Sequence, residues 1–194
     1  MTKQQIEKLA KKIKKMYYSP EKSKGVDEVK QKMLQDFWDH HIVPVTKEAR
    51  RLAKKYKANE DLVWIGAMLH DISLIDDPKL HDEMSAIKAY DILIKEKFDK
   101  DVAEKVKNIA LTHRCKKFIP KTKEEKIVAT ADALNHFLPS FYLGIAVVAS
   151  EEYADTMKKN MQKLEKDYEH KIFFPAEKKL VKKRLADFQR WFGF

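Results

Sequence analysis

The sequence predicts an all-α protein, on three observations. Its 194 residues include only four glycines and six prolines, while Lys, Glu, Leu, Ala and Ile, which suit long helices with short connections, dominate. Apolar residues return at steps of three and four along nearly the whole chain, the period of an amphipathic helix. Breaks such as Ser19-Pro20-Glu21-Lys22-Ser23-Lys24-Gly25 and Asp76-Asp77-Pro78 cut that pattern into helix-length segments. The length fits a single domain over residues 1–194 that buries a substantial core.

The first helix spans 3–18, with Ile6, Leu9, Ile13, Met16 and Tyr17 on one face and lysines on the other. After the 19–25 loop a second helix starts near Asp27 on Val29, Met33 and Phe37. Pro44 then either kinks it or lies in the first turn of a new helix, which runs to about Tyr56 with Val45, Ala49, Leu52 and Ala53 inward. Asn59 is placed to cap a helix from Glu60 to Ile72 that is apolar almost all round and so central to the core. The next runs from near Leu80 to Lys97 with Met84, Ile87, Tyr90 or Asp91, and Ile94 as its apolar face. A helix from Asp99 or Lys100 to Cys115 follows, with Val102, Val106, Ile109 and Ala110 inward. Thr122 and Glu125 form a capping-box pattern for a helix to Phe137, whose inward line is Ile127 or Val128, Ala131, and Leu134 or Asn135. Two longer helices close the chain, one over 140–169 with a break near Ser150. The other runs from Pro175 to Trp191, where Phe173, Phe174, Leu180, Phe188, Trp191 and Phe192 form an aromatic plug.

The formal net charge of +10 and a pI near 9.4 favour anionic ligands. The lysines are spread over nearly every helix, which argues against a nucleic-acid stripe and for a solvated surface. A single cysteine, Cys115, excludes an internal disulfide and suits a reducing, cytoplasmic compartment. The N-terminus is polar and charged, unlike a secretory signal. The most apolar run, Phe137 to Ala149, is interrupted by Pro139 and Gly144 and falls short of the roughly 20 residues that span a bilayer, so no membrane partner is expected.

Against this background, Ile65-Gly66-Ala67-Met68-Leu69-His70-Asp71-Ile72 stands out as an apolar run ending in an imidazole and a carboxylate. Buried, these two groups need a partner: either they form an ordinary hydrogen-bonded pair at a helix end, or a divalent cation satisfies both. Other imidazoles and acids fall on or beside buried faces. His41 precedes Val45 by four, a spacing that favours it over His40, and His81 lies in the first turn of its helix. His113 follows Ile109 by four, and Asp132 sits next to or within a buried stripe. His136 and His170 fall outside this set and are expected to be partly exposed. Asp76 and Asp77 are expected to start a loop, with an orienting role toward a metal-held water as the alternative, and Cys115 to be inert.

The order H…HD…H…H…D resembles the HD-domain superfamily of metal-dependent phosphohydrolases. The matching segments are His41-Ile42-Val43-Pro44-Val45, Ala67-Met68-Leu69-His70-Asp71-Ile72 and His81-Asp82-Glu83-Met84-Ser85-Ala86. They continue with Val106-Lys107-Asn108-Ile109-Ala110-Leu111-Thr112-His113 and Lys126-Ile127-Val128-Ala129-Thr130-Ala131-Asp132-Ala133-Leu134. The tail, Lys163 to Tyr168 and Phe173-Phe174-Pro175, is similar to that of bacterial and archaeal single-domain members. The resemblance implies a metal-binding core over about 34–138, with the helices of 140–194 packing on it. It implies a first divalent ion held by His41, His70, Asp71 and Asp132, and a second held by Asp71, His81 and His113, with Asp71 bridging and central to catalysis. Such imidazole and carboxylate ligands suit one or two ions of Mn, Fe, Co, Ni or Mg. Two ions about 3.5 to 4 Å apart can share a hydroxide that attacks phosphorus in line.

Four positions depart from the commoner family pattern: Pro44 in place of an arginine, Ser73 of a glycine, Arg114 of a second histidine and Asn135 of an aspartate. The missing arginine shifts phosphate contact to Arg114, Lys116, Lys117 or Lys88, each of which is otherwise an exposed basic residue. The resemblance thus implies hydrolysis of a small anionic phosphate or pyrophosphate ester, a nucleotide above all. The alternatives are a di-iron oxygenase resembling myo-inositol oxygenase on the same ligand frame, and a non-catalytic helical module with a structural metal.

Overall fold

The computed structural model describes residues 1–18, 28–74, 76–138 and 152–192, and among these it is helical with no strand. The helices are α1 (Lys3–Tyr18), α2 (Glu28–Phe37), a π-helical turn (Trp38–Ile42), α3 (Val43–Tyr56), α4 (Glu60–Leu69), α5 (His81–Lys95), α6 (Lys100–Thr112), α7 (Lys123–His136), α8 (Tyr153–His170) and α9 (Pro175–Phe192). The expected loop over 19–25, and residues 140–150 with the break near Ser150, lie outside the described residues.

The all-round apolar helix is the centre of the packing, since α4 contacts α1, α3, α6 and α7. Its Val63, Ile65, Ala67 and Leu69 are fully buried. Asn59 caps it through a hydrogen bond accepted from the Leu62 N–H at 3.0 Å, satisfying one of the donors a helix start leaves open. Gly66 lets α6 approach closely: a Cβ there would stand 2.7 Å from Ile109 Cγ2, inside van der Waals contact. On the outer side, the Arg50 guanidinium lies 4.1 Å over the Trp64 ring and pairs with Glu60 at 2.8 Å. A second apolar cluster, made by Ala133, Phe137, Met161, Leu164, Ile172, Val181 and Phe188, joins α7 to α8 and α9.

Several inward faces differ from expectation. Helix α5 buries Ser85, Ala86, Ala89 and Leu93, and turns Met84, Ile87 (61% exposed) and Ile94 outward. Small residues let α5 lie close against α6, a contact the larger Met and Ile side chains on the other face could not make. Helix α2 buries none of its residues: Val29 and Met33 are exposed, although Phe37 packs on the core. In α9, Val181 and Phe188 are buried while Leu180 and Trp191 are exposed, so the aromatic plug is narrower than its sequence suggested. Phe174 contributes by stacking on Tyr56, with ring centroids 4.0 Å apart. No helix among the described residues is long and apolar enough to cross a membrane.

Two local departures from regular helix shape the site. Pro44 lies in the first turn of a new helix, α3, as the second of its two expected placements has it, and before it Trp38–Ile42 widens into a π turn in which the Val43 N–H reaches the Trp38 carbonyl. Such a one-residue bulge absorbs the hydrogen bond that proline cannot make. It leaves His41 buried and the neighbouring His40 exposed. At the other departure α4 stops at Leu69, short of Ile72, and the chain continues in tight turns, with Ile72 N–H to Leu69 O at 3.2 Å and Leu74 N–H to Asp71 O at 3.0 Å.

Candidate metal centre

His41, His70, Asp71, His81, His113 and Asp132 converge in the interior, each less than a tenth exposed. They form two abutting groups of potential ligands: His41, His70 and Asp132, and Asp71, His81 and His113. Asp71 faces both. Its Oδ2 lies 3.4 Å from Nε2 of both His41 and His70; its Oδ1 lies 3.0 Å from His113 Nε2 and 3.4 Å from His81 Nε2. Asp132 Oδ1 stands 3.3 Å from His41 Nε2 and 3.8 Å from His70 Nε2. The adjacent His70 and Asp71 can share a target because the helix ends at Leu69.

The second nitrogen of each ring explains this convergence. His70 Nδ1 lies 2.8 Å from the Ala67 carbonyl, His81 Nδ1 2.9 Å from the Pro78 carbonyl and His113 Nδ1 2.6 Å from the Ala110 carbonyl. A carbonyl oxygen only accepts, so each Nδ1 carries the proton, and in the neutral ring Nε2 presents a lone pair. Those lone pairs point toward carboxylate oxygens, and Asp71 Oδ1 and Asp132 Oδ1 are buried with no hydrogen bond. Lone pairs facing lone pairs in a dry interior repel unless positive charge sits between them. The donor set therefore fits divalent cations, each imidazole being oriented by an outer hydrogen bond as metal-holding histidines usually are.

Electrostatics point the same way. Burial pushes the His41 and His113 imidazoles down, which keeps them neutral. Burial also acts against a charged His70, yet Asp71 and Asp132 outweigh it and raise its pKa to about 10, so without metal the centre draws in a proton. Burial pushes Asp71 and Asp132 up, but the basic groups facing them outweigh it: His70 and His113 hold Asp71, and His136 and Lys171 hold Asp132, well below the usual carboxylate range. Both are carboxylates at neutral pH.

Three buried residues of this centre lie beyond the six. His136, expected to be partly exposed, is 4% exposed. Its Nε2 lies 3.1 Å from Asp132 Oδ1 and its Nδ1 2.7 Å from Asp167 Oδ2, and its ring is parallel to that of His41. Lys171 donates to Asp132 Oδ2 at 2.5 Å. His136 follows Asp132 by four and Lys171 follows Asp167 by four, a same-face spacing visible in sequence. Which helix each pair would meet is not visible there. Tyr17 adds a buried hydroxyl without a hydrogen-bond partner, its pKa raised by burial and then by Asp71.

The four departures from the family pattern have structural roles. Asn135 Oδ1 lies 2.7 Å from His41 Nδ1 and orients that ring. The Ser73 N–H donates to Ser85 Oγ at 3.0 Å, and Pro44 follows the π turn. Arg114 donates to the Lys79 carbonyl at 2.7 Å and to Asp82 at 3.0 Å. Of the other basic candidates, Lys88 ties down the turn after Asp71 through the Ile72 carbonyl and Asp76, and Lys117 pairs with Glu83 at 3.2 Å. Lys116 is exposed, its pKa lowered by partial desolvation and then by the nearby Arg114 and Lys163. Asp77 accepts from the Lys79 and Leu80 N–H groups and so starts α5, as expected of a loop acid. The Cys115 thiol is pushed up to about 12, chiefly by burial, which keeps it unreactive.

No curated protein matches the chain. The crystal structure of a predicted HD superfamily hydrolase from an uncultured Thermotogales bacterium is similar to it, with a TM-score of 0.52 and 22% identity over 93% of this chain and 91% of that one. At that identity the likeness concerns the fold, which is the all-α arrangement described above. A model of the HD domain matches residues 38–135, a span that starts at the π turn carrying His41 and ends at the asparagine that orients it. With half of its length inside that match, the chain belongs to the HD domain family.

Proposed function

We propose that the protein is a metal-dependent phosphohydrolase acting on a small phosphate or pyrophosphate ester, with a nucleotide as the favoured class, in a reducing cytoplasmic compartment. The observation that carries this reading is the set of buried imidazoles whose Nδ1 atoms are committed to backbone carbonyls and whose Nε2 atoms face carboxylate oxygens that accept no hydrogen bond. Divalent ions bound there would polarise a phosphoryl oxygen and lower the pKa of water toward neutrality. The remaining roles belong to the chain. Asp71 would serve both positions, one oxygen to each, and His41, His70 and Asp132 would hold one ion while His81 and His113 complete the other. Carbonyls of Ala67, Pro78 and Ala110 fix three of the rings before any ligand arrives, so little reorganisation is needed on binding. Arg114, held rigidly one residue after His113, and the neighbouring Lys116 and Lys117 supply positive charge suited to an anionic substrate.

The test is elemental analysis of metal-replete protein, followed by phosphate release from a panel of nucleoside mono-, di- and triphosphates with Mn or Co under anaerobic conditions. Asp71→Ala is expected to lose both bound metal and turnover. Turnover retained in that variant would refute the assignment.

A further inference from the structure

We propose that Lys171 is a positioning residue of the metal centre: it occupies Oδ2 of Asp132, leaving Asp132 a one-oxygen ligand whose charge is already partly compensated. The proposal rests on the metal-binding part of the reading above. It concerns a residue outside the matched span of 38–135, at the end of α8.

The position of Lys171 is set by its backbone. The Thr130 hydroxyl, two residues before Asp132, donates to the Lys171 carbonyl at 3.1 Å and accepts from the Phe173 N–H at 3.2 Å. The Lys171 N–H closes the last turn of α8 on the Asp167 carbonyl at 3.0 Å. Two bonds thus pin the α8–α9 junction to α7 while the third closes α8, and the lysine side chain, its residue 5% exposed, is delivered into the interior. Its ammonium reaches Asp132 Oδ2 at 2.5 Å and lies 3.8 Å from Asp167 Oδ1. The other oxygen of Asp167 contacts His136 Nδ1 and Lys163 Nζ, at 2.7 and 3.1 Å.

Two consequences follow from charge and geometry. A carboxylate with Oδ2 bound by an ammonium offers an ion Oδ1 alone, the atom that faces His41 and has no hydrogen bond. A fixed positive charge in contact with a ligand also repels a cation at the same ligand, and in a buried setting that repulsion is only weakly screened. The ion beside Asp132 is therefore held less tightly than His41, His70 and Asp132 alone would hold it. The centre keeps an excess of positive charge for an anionic substrate. A merely structural ammonium implies the opposite sign, because its removal would loosen Asp132 and weaken the metal.

The experiment is titration of chelator-treated protein with Co²⁺, followed by calorimetry and visible absorption, in the wild type, Lys171→Met and Lys171→Arg. Lys171→Met is expected to bind the weaker cobalt about tenfold more tightly. Its absorption per cobalt is expected to fall as Asp132 engages both oxygens. Lys171→Arg, which keeps the charge, is expected to stay within about threefold of the wild type. If Lys171→Met does not fold, Lys171→Gln, which keeps a donor to Asp132 but not the charge, carries the same expectation of tighter cobalt binding, without the fall in absorption. Unchanged or weakened cobalt binding in the neutral variant overturns the proposal while leaving the metal centre standing. A wild type that takes up no cobalt overturns both.

Discussion

Raising the pH of the metal-free protein from 6.5 to 9 should cost it about 3 kcal/mol of stability, through one residue. Asp71 and Asp132 raise the His70 pKa from 6.5 to about 10 in the folded, metal-free centre. The native state therefore keeps a proton that the unfolded chain releases. That stabilisation is complete below pH 6.5 and is lost as the pH climbs toward 10. His41 and His113 do not obscure the effect, because their pKa values are lowered and their contribution is complete once the pH exceeds 6.5. Cys115, raised from 9.0 to about 12, enters only above pH 9. At about 1.36 kcal/mol per unit the interval yields the figure above, which for a chain of this size is a fall in Tm of roughly 6–12 °C. Metal loading displaces the proton, so the loaded protein should show a flat profile over the same range. Thermal unfolding at pH 6.5, 7.5 and 9, with chelator and with Mn²⁺, measures both profiles. A metal-free Tm that stays level or rises across this interval refutes the account of His70.

Other expectations rest on single contacts. Asn135→Leu removes the acceptor for His41 Nδ1 and should weaken metal binding by about 10- to 100-fold in calorimetry with little change in helix content. Gly66→Ala forces a methyl against Ile109 and should cost about 1–3 kcal/mol in urea unfolding, less the gain in helix propensity. Combined with Ile109→Ala the cost should fall well short of the sum of the single changes, and strict additivity would show that the close approach is not the cause. Ile87→Glu, on the outward face of α5, should change stability by no more than about 0.5 kcal/mol, whereas Ala89→Glu buries a charge and should prevent folding, as circular dichroism would report. Lys57 closes α3 with a φ of 52°, so Lys57→Gly should raise Tm slightly, by roughly 0.5 kcal/mol of relieved strain.

Burial of α5 shows where sequence reasoning fails in this chain. Period alone points to Met84, Ile87 and Ile94 as the inward stripe, since they are the large apolar residues at helical spacing. The stripe that packs is Ser85, Ala86, Ala89 and Leu93, because close approach to α6 rewards small side chains over large ones. The burial of His136, against the partial exposure its position predicts, has a related reason. Its helix is buried nearly all round, so a residue next to the expected inward line is no more exposed than one on it. Where one face dominates, as in α1 and α3, the expected inward residues match the buried ones except for Met16, which is half-buried.

By itself the sequence determined the helical class, most helix starts and the identity of the six imidazole and acid residues. These are matters of local period, capping chemistry and residue type, which neighbours along the chain suffice to specify. Only the tertiary structure decided that Asp71 divides its oxygens between two groups, that backbone carbonyls commit three Nδ1 protons, and that Lys171 and Asp167 arrive from a helix pair far along the chain. Those facts depend on which distant segments share a volume of a few ångströms, and that follows from how side chains of different size let the helices approach one another.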